Sequence, residues 1–335
     1  MKYGIYNKPE VFVCLGTSVK EYNDKGQLIS NMADQGLYGC TCQILGEQDG
    51  WMNIVSSYGY AGCIRKDDLI ITDEAGVRSW LDGLSVTNAV WTDVLTAPTV
   101  HGSLILSLPR GSAVKPLAGS EEDGWIKVSL ADGNEGYVPL VRLSEKRYDD
   151  SLLWADPEDL TDRQEMAVKL RAGEKGGQEG FELKKILDKY YGGSEEAFRS
   201  ELLKLAESYL GTQYRWAGRS SSGIDCSGMV SMCYLMAGIV IYRDASIVRG
   251  YPIKRLDIKM TDGHFDLCNL DDGSMRPGDA LYFPGHIAMY AGDGLYIHST
   301  GRAGSNGVVY NSLRPEHELF RADLLESLYA VGGVR

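Results

Sequence analysis

Long apolar runs are missing from this sequence of 335 residues. No stretch reaches the roughly 20 apolar residues that a membrane-spanning helix needs, so a membrane is not the expected environment. The opening residues, MKYGIYNKPEVFVCLGTSVKEYND, also lack the apolar core of a secretory signal. The expected location is the cytoplasm, or outside the cell if a leader has been trimmed from the chain.

Positive charge is short as well. Lys and Arg number 34 against 46 Asp and Glu, a formal charge of −12. That balance argues against nucleic acid and anionic membrane surfaces as partners. It suits a small ligand that is zwitterionic or carries a free amine, and it serves solubility in any case. Composition sets no oligomeric state. Proline is scarce at ten and histidine at five, while 40 glycines supply the breaks. Seven cysteines, Cys14, Cys40, Cys42, Cys63, Cys226, Cys233 and Cys268, form no disulfide framework for a chain this long. Cys40 and Cys42 lack the two-residue gap of a zinc knuckle; on a strand they would share one face as small core residues. Reduced thiols, no metal and no cofactor are the expectation.

What is present reads as an ordinary globular chain, 44% apolar and 24% charged, of a length that suits two or three domains. The first half repeats itself. EQDGWMNIVSSYGYAGCIRKDDL (47–69) resembles EEDGWIKVSLADGNEGYVPLVRL (121–143), and Asp49-Gly50-Trp51, Gly62 and Leu69 recur 74 residues on as Asp123-Gly124-Trp125, Gly136 and Leu143. Alternation in WMNIV and WIKV has the period of a strand. Two small β-barrels in tandem, at 1–72 and 80–147, are predicted. Helical spacing then appears in DLTDRQEMAVKLRAG and SEEAFRSELLKLAESYLG, with Ser194 placed as an N-cap. A helical linker over 148–180 and a last domain over 181–335 follow. In that domain one helix face gathers Phe198, Leu202, Leu205, Ala206 and Tyr209. Short strand-like runs at 279–283, 286–292, 294–300 and 307–313 make it α+β.

The chemistry centres on GTQYRWAGRSSSGIDCSGMVSMCYLMAG (211–238), where a polar loop delivers Cys226 to the start of an apolar helix ending near Gly238. A helix N-terminus presents unpaired N–H groups and partial positive charge. A thiol there is expected to ionise below its usual pKa of about 8.5. A thiol nucleophile needs a base and a group that orients the base. His286 and His298 lie on neighbouring strand runs joined by a turn at Gly292-Asp293-Gly294, so one imidazole can take the thiol proton while the other bonds its second nitrogen. The plain alternatives are that Cys226, like Cys233, is a small buried residue and that His298 ends a strand.

YRWAGRSSSGIDCSGMV and RPGDALYFPGHIAMYAGDGLYIHSTG together resemble the NlpC family of papain-like cysteine peptidases, which cut cell-wall peptides; the likeness covers roughly 200–335. The fold implied is a papain-like α+β domain preceded by two small SH3-like β-barrels. The resemblance places the nucleophile on Cys226, the base on His286, the orienting residue on His298 and an oxyanion donor on Tyr214. Ala217 stands where the family usually has glycine. The layout of two SH3-like domains and a peptidase domain is similar to the γ-D-glutamyl-L-diamino acid endopeptidase subgroup. That likeness implies cleavage of murein peptides with a free N-terminal L-Ala, and a carboxylate for the free amine at Asp244. It implies a tyrosine of the first SH3-like domain at Tyr60, or Tyr58, and further substrate contacts from Trp216, Asp225 and Ser227. On the residues alone, Arg243-Asp244 reads as an exposed surface pair. Two other functions stay open: a non-catalytic binder of wall peptides, and another thiol amidase or acyltransferase on the same fold.

Overall fold

The computed structural model describes residues 1–154, 182–247 and 252–335. The helix expected within DLTDRQEMAVKLRAG, and most of the expected linker, lie outside the described residues. The chain divides into two compact units. One comprises Met1–Arg163 and Trp216–Ser222, the other Gln164–Arg215 and Gly223–Arg335.

The first unit is built on two seven-stranded sheets with antiparallel pairing. The first sheet runs Met32–Leu37, Glu10–Cys14, Ala61–Arg65, Trp51–Ser56, Thr41–Gln48, Lys2–Tyr6, Leu69–Thr72. The second runs Leu104–Pro109, Trp91–Leu95, Glu135–Pro139, Trp125–Ser129, Ala113–Pro116, Ser85–Thr87, Leu143–Glu145. The sequence repeat has a backbone cause. Asp49 and Asp123 sit at φ 50° and 48°, each followed by a glycine near 80°. That is the tight hairpin turn which Asp-Gly favours. Gly62 and Gly136 mark a second shared constraint: a Cβ on Gly62 would lie 2.6 Å from a Val13 methyl, and one on Gly136 2.5 Å from a Val94 methyl.

Between the sheets the chain forms a helix, Glu74–Leu81, that the repeat did not announce. The Asp73 side chain caps it by accepting from the Gly76 N–H. Trp80 Nε1 donates to the Gly39 carbonyl at 2.8 Å. Tyr38 belongs to the core of the second sheet, and its carbonyl accepts from the Ala113 N–H at 2.7 Å.

Trp216–Ser222, expected within the last domain, groups with the first unit. Trp216 Nε1 donates to the Met32 carbonyl at 3.1 Å, and the Arg219 N–H to Gln35 Oε1 at 2.8 Å. Ser220 and Ser222 both donate to Glu10 Oε1. The Arg219 guanidinium lies over the Tyr58 ring, 4.3 Å from its centroid, and Tyr58 donates to Asp34. Buried polar groups need partners, and on Glu10, Asp34 and Gln35 this loop supplies them.

The second unit packs helices Leu183–Tyr190, Glu195–Glu207 and Cys226–Met236 with a six-stranded antiparallel sheet. The sheet order is Lys254–Arg255, Ala330–Gly333, Ala280–Phe283, His286–Gly292, Leu295–Thr300, Gly307–Ser312. Ser194 caps its helix through the Ala197 N–H. Phe198, Leu202 and Ala206 are buried, and so is Arg199, which pairs with Glu195 and the buried Asp279. All residues of Cys226–Met236 are buried, and Gly238 follows at φ 96°, a conformation that ends helices. Among the described residues no helix is long and apolar enough to cross a membrane.

Candidate active site

Cys226 opens its helix directly after Asp225, whose side chain accepts from the Gly228 N–H as N-cap. The segment around Cys226 is tied to the histidine strands at two points. The Ile287 N–H, next to His286 in the chain, is directed at it, as is the Ser227 N–H. Ser299 Oγ, next to His298, donates at 2.7 Å to the carbonyl of Ile224, two residues before the cysteine.

The thiol departs from expectation. Cys226 is only 7% exposed, and burial, aided by the Asp225 charge, pushes its pKa up to about 11. The Ile287 N–H, the Arg243 charge and the Ser227 N–H at the helix start pull the other way and do not win, because removing a thiolate from water costs more than they return.

Alternation along the strands sets His286, Tyr296, His298 and Asn311 on one face of the sheet. Register pairs Tyr296 with Asn311 and His298 with Val309. His286 Nε2 and His298 Nδ1 are 2.7 Å apart, and His298 Nε2 lies 2.9 Å from Asn311 Oδ1. Asn311 Nδ2 donates to the Leu319 carbonyl at 3.0 Å, which fixes the amide with its oxygen toward His298. An amide oxygen only accepts. His298 therefore carries its proton on Nε2 and accepts at Nδ1. His286 then donates from Nε2, and its Nδ1 keeps a lone pair. Burial pulls His286 down to about 4, with a smaller push from the Arg321 charge. His298 falls to about 3, from burial first and then from His286. Both imidazoles are neutral at pH 7, beside a protonated thiol.

Tyr214 is half-buried, and its backbone bridges in parallel to Ile224, next to Asp225. Burial, then Cys226 and Asp225, raise its hydroxyl pKa, so it stays a hydrogen-bond donor. Asp225 and Ser227 are already occupied. Arg243 holds Asp225 with Nη1 to Oδ1 and Nη2 to Oδ2, each 3.1 Å, and Nη1 donates to Ser227 Oγ at 2.7 Å. Arg243 is 4% exposed, which corrects its reading as half of a surface pair. A guanidinium bound on both sides to a buried carboxylate turns inward and leaves only Asp244 half-exposed.

Three expected residues belong to the first unit. Tyr60 closes a hairpin turn, with its N–H on Ser56 Oγ at 2.9 Å and its carbonyl accepting from the Ser56 N–H at 2.8 Å. Tyr58 is engaged by Asp34. Trp216 is 64% exposed. Ala217 is buried at φ 58°, a left-handed conformation that costs a residue with a Cβ. Among the described residues no cluster of His, Cys, Asp and Glu could hold a metal.

Asn311 and Arg243 were missed from sequence. The first had a signal: in GVVYNSL it is a polar residue in phase with core-facing positions of a strand. The second had none, because nothing local to YRDAS shows which way the guanidinium turns.

The chain is similar to known proteins in sequence and in fold. The NlpC/P60 family signature matches residues 211–320, the span that holds Tyr214, Cys226, His286, His298 and Asn311. Dipeptidyl-peptidase 6 of Lysinibacillus sphaericus is 32% identical over 311 residues, covering 92% of this chain and 93% of that protein. The γ-D-glutamyl-L-lysine dipeptidyl-peptidase of Bacillus cereus is 33% identical over 107 residues, 30% of this chain and 28% of that one. A crystal structure of an NlpC/P60 family protein from Bacillus cereus shares the fold, with a TM-score of 0.65 at 16% identity and 99% of each chain covered. With its motif residues inside the matched span and a relative aligned along nearly its whole length, this chain belongs to the NlpC/P60 family.

Proposed function

We propose that this chain is a cysteine endopeptidase that hydrolyses the γ-D-Glu–L-diamino acid bond of murein peptides bearing a free N-terminal L-Ala, releasing L-Ala-D-Glu. The observation that carries the reading is the run of hydrogen bonds from Asn311 through His298 to His286, which leaves one imidazole nitrogen unprotonated on the strand whose next N–H meets the Cys226 sulfur. The name of the Bacillus cereus relative supports the choice of a γ-D-glutamyl bond, and that of the Lysinibacillus sphaericus relative supports release of a dipeptide.

In this reading the thiol proton passes to His286 Nδ1 as sulfur attacks the γ-carbonyl carbon. The oxyanion is held by the Cys226 N–H, unpaired at the helix start, and by the Tyr214 hydroxyl. The imidazolium gives its proton to the departing amine. Water, deprotonated by the same nitrogen, then releases the acyl group from sulfur. Asp244 pairs with the ammonium of L-Ala and disfavours acylated or glycan-linked peptides. With Asp225 and Ser227 held by Arg243, their part is to shape the loop that carries the sulfur. Tyr60 and Trp216 remain substrate contacts by resemblance.

We read the two seven-stranded sheets as tandem SH3-like barrels, on the matched turns and glycines of the repeat. The cytoplasm is the proposed location, and murein peptides the partner.

Mass spectrometry of L-Ala-γ-D-Glu-L-diamino acid digests tests the reading. Release of L-Ala-D-Glu by the wild type and none by Cys226→Ala is the expected result. Cleavage of the acetylated and the free peptide at equal rates removes the role of Asp244.

A further inference from the structure

The proton order at this site has a single origin. Two histidines in contact could share their protons in several ways, and only some leave a base for the thiol. The geometry points to Asn311 as a positioning residue: its amide oxygen fixes the proton on His298 Nε2 and thereby keeps His286 Nδ1 free to take a proton. The assignment rests on the peptidase reading above.

The amide is itself held. Asn311 Nδ2 and the Ser312 N–H both donate to the Leu319 carbonyl, each at 3.0 Å. Rotating the amide would set its oxygen against that carbonyl, exchanging the hydrogen bond to Leu319 for a repulsion between two acceptors. Its position is also the end of a chain. When His286 takes the thiol proton, its Nε2–H still faces His298 Nδ1. Should that proton cross, His298 becomes the cation with both nitrogens protonated, and Asn311 Oδ1 has no capacity to accept a further proton. The charge stays within the pair and returns to His286 Nδ1 for the leaving amine.

An amide differs here from a carboxylate. A carboxylate would favour the imidazolium form of a fully buried ring and keep His286 partly protonated at rest. The other groups that face the pair are Arg321, whose charge disfavours protonation of both rings, Asp323, whose charge favours protonation of His298, and the uncharged rings of Phe283 and Tyr296. Arg321 and Asp323 bind each other at 2.6 and 2.7 Å, so Asn311 is the contact that distinguishes the two nitrogens of His298.

The test uses the full chain with 15N-labelled histidine, together with Asn311→Ala and Asn311→Asp. In the wild type at pH 7, both His286 and His298 should show the Nε2–H form. In Asn311→Ala the two forms of His298 should mix, and kcat should fall about 10- to 100-fold, the usual effect of removing such a support, with KM within about two-fold. Asn311→Asp should move the acid limb of kcat/KM upward from about pH 4 by about one unit or more. A wild-type His298 protonated on Nδ1 overturns the proposal without any substrate, and so does Asn311→Ala with wild-type kcat and unchanged tautomers. If Asn311→Ala does not fold, the wild-type spectrum and Asn311→Asp decide. Failure to cleave murein peptides would sink the proposed function and leave the tautomer result standing.

Discussion

Arg243 and Asp225 meet through two contacts of 3.1 Å each, one from each terminal nitrogen of the guanidinium to a different carboxylate oxygen. The same carboxylate caps the helix that Cys226 begins. A pair so placed is held by its own geometry, and breaking it from one side leaves a charge in a dry site. Arg243→Met should therefore cost about 3–5 kcal/mol of stability. Asp225→Asn in the same chain should recover part of the loss. Urea denaturation of the wild type and the two variants measures it. A single variant within about 0.5 kcal/mol of the wild type contradicts the account.

Tyr214 is kept protonated by burial and by neighbouring negative charge. As an oxyanion donor it acts only when negative charge develops. Tyr214→Phe should lower kcat by about 10²–10³-fold, some 2.7–4 kcal/mol, with little change in KM. A loss confined to KM would make the tyrosine a substrate contact instead.

Activity should be limited by acid through His286, which must be neutral to take the thiol proton. With its pKa near 4, kcat/KM should hold down to about pH 5 and fall below it. On the alkaline side the thiol near 11 sets no limit at pH 8 to 9. If Asp244 requires an ammonium, the limb for free-amine peptides should lie near the amine's own pKa, about 8. Peptides with a quaternised N-terminus should lack that limb. Stability has its own pH dependence. The folded pKa values of both histidines lie below the ordinary 6.5, so the unfolded chain binds more protons as pH falls. The contribution is intact above about pH 6.5 and is lost progressively toward pH 4 and below. His298→Phe should flatten that slope in thermal melts between pH 4 and 7.

Ala217 occupies a left-handed backbone position at φ 58°, a region that favours glycine. Ala217→Gly removes the Cβ strain at the cost of a freer unfolded chain. The net effect should be stabilisation by up to about 1 kcal/mol. A lower melting temperature in the variant would show that the Cβ contributes packing that outweighs the strain.

Much of this was legible before the fold was known. Asp49-Gly50-Trp51 and Asp123-Gly124-Trp125 were readable as paired turns, because a left-handed turn narrows the choice of residue at fixed positions. His286 and His298 were readable as neighbours, because a turn at Gly292-Asp293-Gly294 leaves two strands little alternative to pairing. The Trp216–Ser222 loop was not readable. Its polar groups are satisfied by Glu10, Met32 and Gln35, which are remote in sequence, and no local pattern encodes such a partner. The thiol was misread for a related reason. The helix start is a local feature and favours ionisation, whereas the burial that opposes it comes from the whole surrounding sheet.

The sequence alone determined which groups are present and in what order: a cysteine after a polar loop, two imidazoles on consecutive strands, and a repeat written in turns. The tertiary structure decided their protonation. Whether a thiol is charged, which nitrogen of His298 holds the hydrogen and where Arg243 turns depend on desolvation and on partners far along the chain. Those energies arise only when segments distant in sequence exclude water together.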